Sequence, residues 1–461
     1  MRTRHLSATA IVAAAVLALA ACSSGGGGGG GTAGGTSDGG SAGGGGGPVE
    51  LDYWSEADSG PPLATWKGLV ADFNSSHPDI NVKLRTVSNA SFFTVMRNAF
   101  TANDPPEIFQ HEGNTNLFQF VTEGGVTPIT DWFNKPGNGD RFTQGSPVAS
   151  VTYDGEVYGI PLSINVTQEL YYSKSILAGA GIDPTTFKTW DDFLAAFDQL
   201  KAAGITPIAY GNSEGWPGSQ WFYAFLGRTA GAKKVNQLVS RNCGYKWTDP
   251  DIVQAAQLYT DLSDKGYFSD GKSSDDSNTA QSTFLSGKAA FFGFGDWFIP
   301  SIAEAPNPDD YAMVEIPEVP EALGKGSAHD GLINAGGIAV STAANTPEKL
   351  QAALTFLDWV SQPEQQKRQA AIGAISAVPA ANDPSLQGPL VTQVIADHID
   401  SSTGSYPFIE HVTPKAVGED AIWQGSVAVL TGQATPQSWM ESVESAAAAA
   451  DPIIRIPEDC S

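Results

Sequence analysis

Positively charged residues are scarce in this chain. Its 461 residues include 25 Lys and Arg against 50 Asp and Glu, a formal net charge of −25. Phosphate backbones and anionic lipids are attracted to cationic surfaces, so this balance argues against a nucleic-acid partner and against a basic membrane-binding face. Charged residues of both signs make up only 16% of the chain. We interpret the acidic excess as a source of solubility outside the cell.

Cysteine is scarcer still, and histidine forms no cluster. The three cysteines are Cys22, Cys243 and Cys460. Such scattered residues give little support to a zinc site, so we predict neither a metal nor a cofactor. If Cys22 is modified, as argued below, Cys243 and Cys460 remain, and an isolated pair in an oxidising compartment most simply forms a disulfide.

The first apolar run is too short to cross a membrane. It extends without a charge from Leu6 to Ala21, after two arginines, as in an export signal. Its end, LAAC, resembles the lipobox of bacterial lipoproteins, in which the signal is cut before the cysteine and the thiol is acylated. We therefore expect a signal peptide over residues 1–21 and a lipid anchor on Cys22; the alternative is an ordinary signal peptide with an unmodified cysteine.

Glycine dominates the next segment, residues 22–48, which carries a single charge, Asp38. A segment of this composition buries too little apolar surface to offset the entropy of ordering it. We expect a flexible linker of about 26 residues with a reach of roughly 30 Å. The pattern is typical of a folded domain tethered near a membrane.

From Val49 onward the chain is too long for one compact core, and its length favours two lobes. The stretches beginning VELDY, INVKL and EIFQH alternate like strands, and the segments between them have helical spacing. This β-α-β-α-β order predicts an open sheet with parallel strands. Ligands bind at the carboxyl ends of such strands, which here are followed by YWSEAD and FQHEGN.

A second α/β unit is predicted further along. Thr189 can cap a helix with Asp191 and Asp192 in its first turn, and the strand-like stretch ITPIAYG follows. Thr346, before Pro347, begins another predicted helix.

Three stretches together resemble the family 1 extracellular solute-binding proteins of bacterial ABC importers, and their sugar-binding branch most of all. They are VYGIPLSINVTQELYYSKSIL, TWDDFLAAFDQLKAAGITPIA and FLSGKAAFFGFGDWFIPSI. The resemblance covers the chain from Leu51 onward, in the family's order. It implies an α/β fold of the type II periplasmic-binding kind, with two lobes joined by a hinge. Mapped here, lobe 1 comprises residues 49–160 and 317–375, and lobe 2 comprises residues 161–316 and 376–461.

The resemblance also implies a site for sugar. A sugar presents apolar C–H faces and a rim of hydroxyls, so its receptor needs flat aromatic rings and coplanar hydrogen-bonding groups. Trp297, in GFGDWF, matches the position where the family stacks a Trp on sugar. Gln110, His111 and Glu112 end the third predicted strand. The sequence does not determine which side of the sheet each of them faces, so it does not determine which of the three contacts the ligand. The candidate ligand contacts are Trp54, Glu56, Gln110, His111, Glu112, Asn165, Trp216, Asp296, Trp297 and Asn334.

The function implied is that of a monomeric sugar-binding lipoprotein, not an enzyme. It would capture a mono- or oligosaccharide and deliver it to an ABC permease, from the outer face of the cytoplasmic membrane in the cell envelope. Binding of a polyamine or a glycerol-phosphate type of solute is the alternative cargo. A lipid-anchored glycoside hydrolase using Glu56, Glu112 or Asp296 is a weaker alternative. Another weak alternative is an enzyme in which Ser213, in GNSEG, is the nucleophile of a G-x-S-x-G motif.

Overall fold

A computed structural model of the protein describes residues 47–57, 59–167, 169–241, 243–400, 404–450 and 460. The predicted signal peptide, the anchor position Cys22 and nearly all of the linker lie outside these residues. Among the helices of the described ranges, none combines the length and apolar character needed to cross a membrane.

Thirteen strands are formed by the described residues. They are β1 (Val49–Ser55), β2 (Ile80–Thr86), β3 (Ile108–His111), β4 (Thr152–Tyr153), β5 (Glu156–Val157), β6 (Gly159–Thr167), β7 (Glu169–Ser173), β8 (Thr206–Ile208), β9 (Ala289–Phe294), β10 (Tyr311–Glu315), β11 (Asp330–Val340), β12 (Ile375–Ser376) and β13 (Gly404–Tyr406).

Eighteen α-helices accompany them within the same ranges. They are α1 (Gly60–Ser76), α2 (Asn89–Thr101), α3 (Asn114–Thr122), α4 (Thr130–Phe133), α5 (Ser146–Ala149), α6 (Lys174–Gly179), α7 (Trp190–Ala202), α8 (Trp216–Ala230), α9 (Ala232–Ser240), α10 (Pro250–Asp264), α11 (Ser277–Leu285), α12 (Ile299–Ala303), α13 (Pro347–Val360), α14 (Pro363–Ala370), α15 (Pro384–Val394), α16 (Lys415–Val417), α17 (Gln424–Leu430) and α18 (Pro436–Ala449).

Local sequence signals account for several of these helices. The α7 helix begins as predicted after Thr189, whose side chain accepts from the Asp192 backbone while Asp192 accepts from the Thr189 backbone. This reciprocal capping box satisfies two of the free N–H groups at the helix start. Thr346 is likewise the N-cap residue of its helix, α13, and directly precedes Pro347. Both predicted helices are confirmed.

Two sheets hold most of the strands. The first sheet has the order β12-β6-β11-β3-β1-β2, with β13 also paired to β11. Strand β1 is parallel to both β2 and β3, which confirms the predicted β-α-β-α-β unit. The second sheet has the order β10-β7-β9-β8, in which β8 and β9 are parallel and the other pairs antiparallel. The chain passes from the first sheet to the second between β6 and β7, and returns between β10 and β11.

The buried apolar side chains form separate cores. The first core draws on residues between 51 and 162, residues between 338 and 360, and Val378. The second core draws on residues between 170 and 447, including the buried face of α8 and Trp439 of α18. A third, smaller core contains Val166 of β6 together with Phe294 and Phe298. Strand β6 therefore contributes to two of the three cores, since Ile160 belongs to the first.

Cys243 and Cys460 form a disulfide, with 5.3 Å between their Cα atoms. The predicted pairing is thus confirmed. It closes a loop with a sequence separation of 217 residues and fixes Cys460 beside the loop that precedes α10.

Candidate ligand-binding site

Polar side chains meet where β1 and β3 end. The two strands are parallel neighbours, so their carboxyl ends lie at the same edge of the sheet. Glu56 follows β1, and Gln110 is the penultimate residue of β3. The Gln110 Nε2 donates to Glu56 Oε1 over 2.7 Å, and Gln110 Oε1 accepts from Ser55 Oγ over 2.7 Å and from the Glu56 backbone over 3.2 Å. These bonds fix both side chains at the sheet edge.

Two asparagines approach the same place from the antiparallel pair β6 and β11. Asn165 and Asn334 lie directly opposite each other across this pair. Their Nδ2 atoms donate to Glu112 Oε2, over 3.4 Å from Asn165 and 3.2 Å from Asn334. A Cβ on Gly336 would lie 3.3 Å from the same oxygen, so the absence of a side chain there leaves room for the carboxyl. We call Glu56, Gln110, Glu112, Asn165 and Asn334 the acid–amide cluster.

The electrostatics of the cluster are dominated by its two acids. Burial raises the pKa of Glu112 well above its usual range, and the charge of Glu56, which is hydrogen-bonded to it, raises it further. The amides of Asn334 and Asn165 oppose that rise. Like charges in contact cannot both ionise easily, so protonation of one of the two carboxyls relieves the repulsion between them.

His111 lies on the opposite side of β3, in the interior. Its side chain is 1% exposed, and Nδ1 accepts from the Gly113 backbone over 3.0 Å. Burial lowers the pKa of His111 to about 3, so the ring is neutral. A Cβ on Gly159 would lie 2.7 Å from Nε2, which shows how closely the ring is packed. Of the three candidates at the end of β3, Gln110 and Glu112 enter the cluster, and His111 supports the turn into α3.

Trp54 lies in β1, two residues before Glu56. Its partly exposed ring packs against the first core, and the Arg85 guanidinium lies 4.1 Å from the ring centroid.

Aromatic rings gather on the second sheet. Trp216 begins α8, and Trp297 lies in the turn after β9. Their ring centroids are 6.3 Å apart, and the Phe294 ring contacts both, at centroid distances of 5.2 Å from Trp216 and 5.5 Å from Trp297. Phe408 continues the group at 6.1 Å from Trp297. We call Trp216, Phe294, Trp297 and Phe408 the aromatic wall; Trp216 and Trp297 are its partly exposed members.

Asp296 links the aromatic wall to the strand that carries the cluster. It is 2% exposed, and its Oδ1 accepts from the Val166 backbone over 2.9 Å. Val166 follows Asn165 in β6. Burial raises the pKa of Asp296 to about 8, although the bond from Val166 opposes the rise. This carboxyl therefore fixes the Trp297 turn relative to β6.

The sequence alone did not identify Phe408, Glu410 or Trp423. Glu410 accepts from Gln220 over 3.2 Å, and burial raises its pKa to about 7. Gly215 directly precedes Trp216, and a side chain on Gly215 would collide with the Cβ and backbone of Trp423. The stretch SYPFIEHV combines aromatic and ionisable residues, yet it has neither helical nor strand period, so no local signal placed it near Trp297.

Two contacts link the segments after β2 and β3 to residues 409–419, which are distant in sequence. The turn Ile409–His411 contacts α3, which follows Glu112. The Arg97 guanidinium of α2 lies 3.3 Å from the Glu419 carboxylate. Burial lowers the pKa of His411 to about 3, so this turn carries no positive charge from that ring.

Ser213 does not stand at the start of a helix. It is exposed, and α8 begins only at Trp216, whereas a nucleophile elbow needs the helix to begin at the serine. In the described part of the chain, no group of three or more His, Cys, Asp or Glu is arranged to hold a metal ion.

More than half of the chain matches a known protein family. The family model described as bacterial extracellular solute-binding protein matches residues 57–367. An uncharacterised ABC transporter extracellular-binding protein of Pyrococcus horikoshii is 25% identical over 281 residues, 58% of this chain and 60% of the relative. The multiple sugar-binding protein of Streptococcus mutans is 24% identical over 302 residues, 65% of this chain and 68% of the relative.

The chain thus spans about 60% of the length of the Pyrococcus relative. Among solved structures, a chitin oligosaccharide binding protein is similar with a TM-score of 0.79 and 24% identity, over 87% of this chain and 99% of that one. This likeness shows the periplasmic-binding-protein fold, with mixed α/β content as predicted.

Proposed function

Because this chain belongs to the bacterial extracellular solute-binding protein family, we propose that it is the sugar-binding lipoprotein of an ABC transporter. It captures a mono- or oligosaccharide between two lobes and delivers it unaltered to a membrane permease. The names of the Streptococcus relative and of the chitin oligosaccharide binding protein support a saccharide as cargo.

The observation that carries this proposal is the pairing of a polar cluster with an aromatic wall. Through β6, Asn165 belongs to the acid–amide cluster while the next residue, Val166, holds the turn of Trp297 through Asp296. A saccharide needs both a hydrogen-bonding rim and an apolar ring face. The proposed contacts are Glu56, Gln110, Glu112, Asn165 and Asn334 at the rim, with Trp216 and Trp297 on the ring face.

The distribution of the buried cores supports a division into two lobes. The proposed lobe 1 comprises residues 49–160 and 317–375, and lobe 2 comprises residues 161–316 and 376–461. Nearly all of the first core lies in lobe 1, with Leu162 and Val378 just beyond its boundaries. The contacts of α3 with Ile409–His411 and of Arg97 with Glu419 then join the lobes. Bound ligand stabilises this closed arrangement because it contacts both halves.

Binding rather than hydrolysis is supported by the spacing of the acids. Glu56 and Glu112 are directly hydrogen-bonded, whereas retaining glycosidases hold their two carboxyls about 5 Å apart and inverting ones farther. We therefore propose no catalytic role for either residue. A glycerol-phosphate ligand is disfavoured because its anion would face these acids.

We propose that the protein is attached to the outer face of the cytoplasmic membrane by the lipid on acylated Cys22. Cys22→Ser is expected to release the protein into the medium without changing its affinity for ligand, as measured by immunoblotting of cell and medium fractions and by calorimetry on the released protein. A variant that stays with the membrane would contradict the proposed lipid anchor but not the proposed ligand binding.

The experiment that tests the function is a thermal-shift and calorimetric survey of the protein from residue 23 onward, which lacks the signal peptide and the anchor cysteine. The panel contains mono- and oligosaccharides, spermidine and glycerol phosphate. A ligand present at a hundred times its Kd stabilises the fold by about 2.7 kcal/mol. Binding of a saccharide, with no shorter product by chromatography, is the expected result. The absence of binding by any saccharide, or its cleavage, would overturn the proposal.

A further inference from the structure

One ion pair connects an element of the first core to an element of the second. Helix α2 carries Arg97 and is anchored in the first core by the buried side chain of Met96. The helical segment Gly418–Trp423 carries Glu419 and is anchored in the second core by Ile422. The Arg97 Nη1 lies 3.3 Å from the Glu419 Oε1. The pair therefore extends from one proposed lobe to the other.

Both partners of this ion pair are shielded from solvent. The side chain of Arg97 is 25% exposed and that of Glu419 is 22% exposed. Salt screens a shielded pair less than it screens an exposed one. Glu419 also lies 3.8 Å from the Lys415 Nζ, but that cation belongs to the same proposed lobe. Arg97 is thus the cation that Glu419 receives from the other side.

A second contact lies beside the ion pair. The turn Ile409–His411 packs against α3, which is anchored in the first core by Leu117, whereas Ile409 itself belongs to the second core. A Cβ on Gly418 would lie 2.7 Å from the Glu410 Cα, so the turn and the segment that carries Glu419 are in direct contact. The ion pair and the turn therefore form one continuous surface between the proposed lobes.

This surface borders the candidate ligand-binding site without being part of it. The segment Gly418–Trp423 ends against Gly215, since a Cβ there would lie 2.8 Å from the Trp423 Cβ. Trp216 of the aromatic wall is the next residue. On the other side, α2 precedes β3, which carries Gln110 of the acid–amide cluster. Neither partner of the ion pair belongs to the aromatic wall or to the acid–amide cluster.

Resting on the proposed function, we propose that the Arg97–Glu419 ion pair is a latch that favours the closed arrangement of the two lobes when no ligand is bound. Opening the lobes separates the two charges, because each is anchored to a different core. The latch increases the share of free protein that is already closed, and this raises the apparent affinity for ligand. Because its residues lie outside the site, it raises the affinity for every saccharide by the same factor.

The expected size of the effect follows from the exposure of the pair. Ion pairs at protein surfaces change an equilibrium constant by up to about fivefold. We therefore expect removal of either charge to lower the ratio of closed to open protein about two- to fivefold. The unaltered protein should approach the same lower ratio in 1 M salt, where the Debye length is about 3 Å.

The first test measures lobe opening in the protein from residue 23 onward, without ligand. Nitroxide labels on Thr101→Cys of α2 and Ala416→Cys of α16, both exposed positions, lie on either side of the ion pair. Pulsed electron paramagnetic resonance gives the distances between them. Arg97→Gln is expected to increase the population with the longer distance. Arg368→Gln is the matched control, because its ion pair with Asp72, 2.8 Å long, joins α14 to α1 within one proposed lobe.

Further variants establish that the two charges act on each other. Glu419→Gln and the double variant with Arg97→Gln should open the protein as much as Arg97→Gln alone, because each removes the same pair. Arg97→Lys keeps the charge and should retain most of the closed population. Additive effects of the two single changes would overturn the pairing. Melting curves establish that the variants fold, and Glu419→Gln provides the comparison if Arg97→Gln does not.

The second test measures affinity by calorimetry with maltose, cellobiose and N,N′-diacetylchitobiose. For each of these that binds, Arg97→Gln should raise the Kd by one common factor of about two to five. Arg368→Gln should leave each Kd unchanged. Factors that differ from one saccharide to another would overturn the statement that the latch acts from outside the site.

The outcomes separate this inference from the proposed function. Identical label distances in Arg97→Gln and Arg368→Gln would overturn the latch, and sugar binding would remain. Altered distances with no saccharide bound would overturn the proposed function and leave the latch in place. Altered distances with an unchanged Kd would overturn the effect of the latch on affinity.

Discussion

Removal of the Trp297 indole is the most direct perturbation of the proposed site. The ring is partly exposed, and its other contacts are Trp216, Phe294 and Phe408 at centroid distances of 6.3, 5.5 and 6.1 Å. In Trp297→Ala the ligand can no longer stack on the exposed face of the indole ring. Covering about 60 Å² of carbon surface contributes about 1.5 kcal/mol at roughly 25 cal/mol per Å². Stacking on an aromatic face adds about 0.5–1.5 kcal/mol.

The expected loss in affinity is therefore about 2–3 kcal/mol, or roughly thirty- to a hundred-and-fifty-fold in Kd. Calorimetry with the best saccharide of the panel, well below the melting temperature, measures it. Trp359→Ala is the matched control, because Trp359 is also partly buried and packs on Phe73 at 5.6 Å, within the first core. Both variants should lose some stability, but only Trp297→Ala should lose affinity. Equal affinities of the two variants would remove Trp297 from the site.

Three further expectations concern the same fold. Gly295→Ala should weaken saccharide binding nearly as much as removal of the indole, because its new Cβ would lie 2.2 Å from the Trp297 ring; an unchanged Kd by calorimetry would show that the ring position is unimportant. Asp296→Asn should become relatively more stable as pH rises from about 4 to 8, since burial raises the pKa of Asp296 to about 8 and the folded state then binds more protons than the unfolded state. Denaturant unfolding across that range measures the difference between the two proteins, and a difference that does not vary with pH would contradict the assignment. Cys460→Ser should lower the free energy of unfolding by up to about 5 kcal/mol, because the bond with Cys243 spans 217 residues; an unaltered unfolding curve would mean that this loop does not constrain the unfolded chain.

Local patterns were sufficient for the individual elements. Alternation along β1 and β2, helical spacing in α1 and the cap at Thr189 involve residues close in sequence, and each of these elements is present. The pairing of Cys243 with Cys460 also followed from composition, because few cysteines leave few partners.

The location of the candidate site residues at the ends of β1 and β3 could be predicted, but the directions of their side chains could not. Successive residues of a strand face opposite sides of the sheet, so a shift of one residue in phase would exchange the direction of His111 with that of Gln110 and Glu112. The structure sets that phase by pairing β3 with β1 on one side and β11 on the other, which sends His111 into the interior.

The sequence by itself determined the α/β elements and the family. It also predicts an export signal, an anchor and residue types suited to a saccharide. Only the tertiary structure decided which of those residues meet. The antiparallel pairing of β6 with β11 sets Asn165 opposite Asn334, and the packing of Ile409–His411 on α3 brings an unpredicted segment to the same region. Such contacts depend on the packing of the whole chain, whereas helical periods and caps depend on a few neighbouring residues.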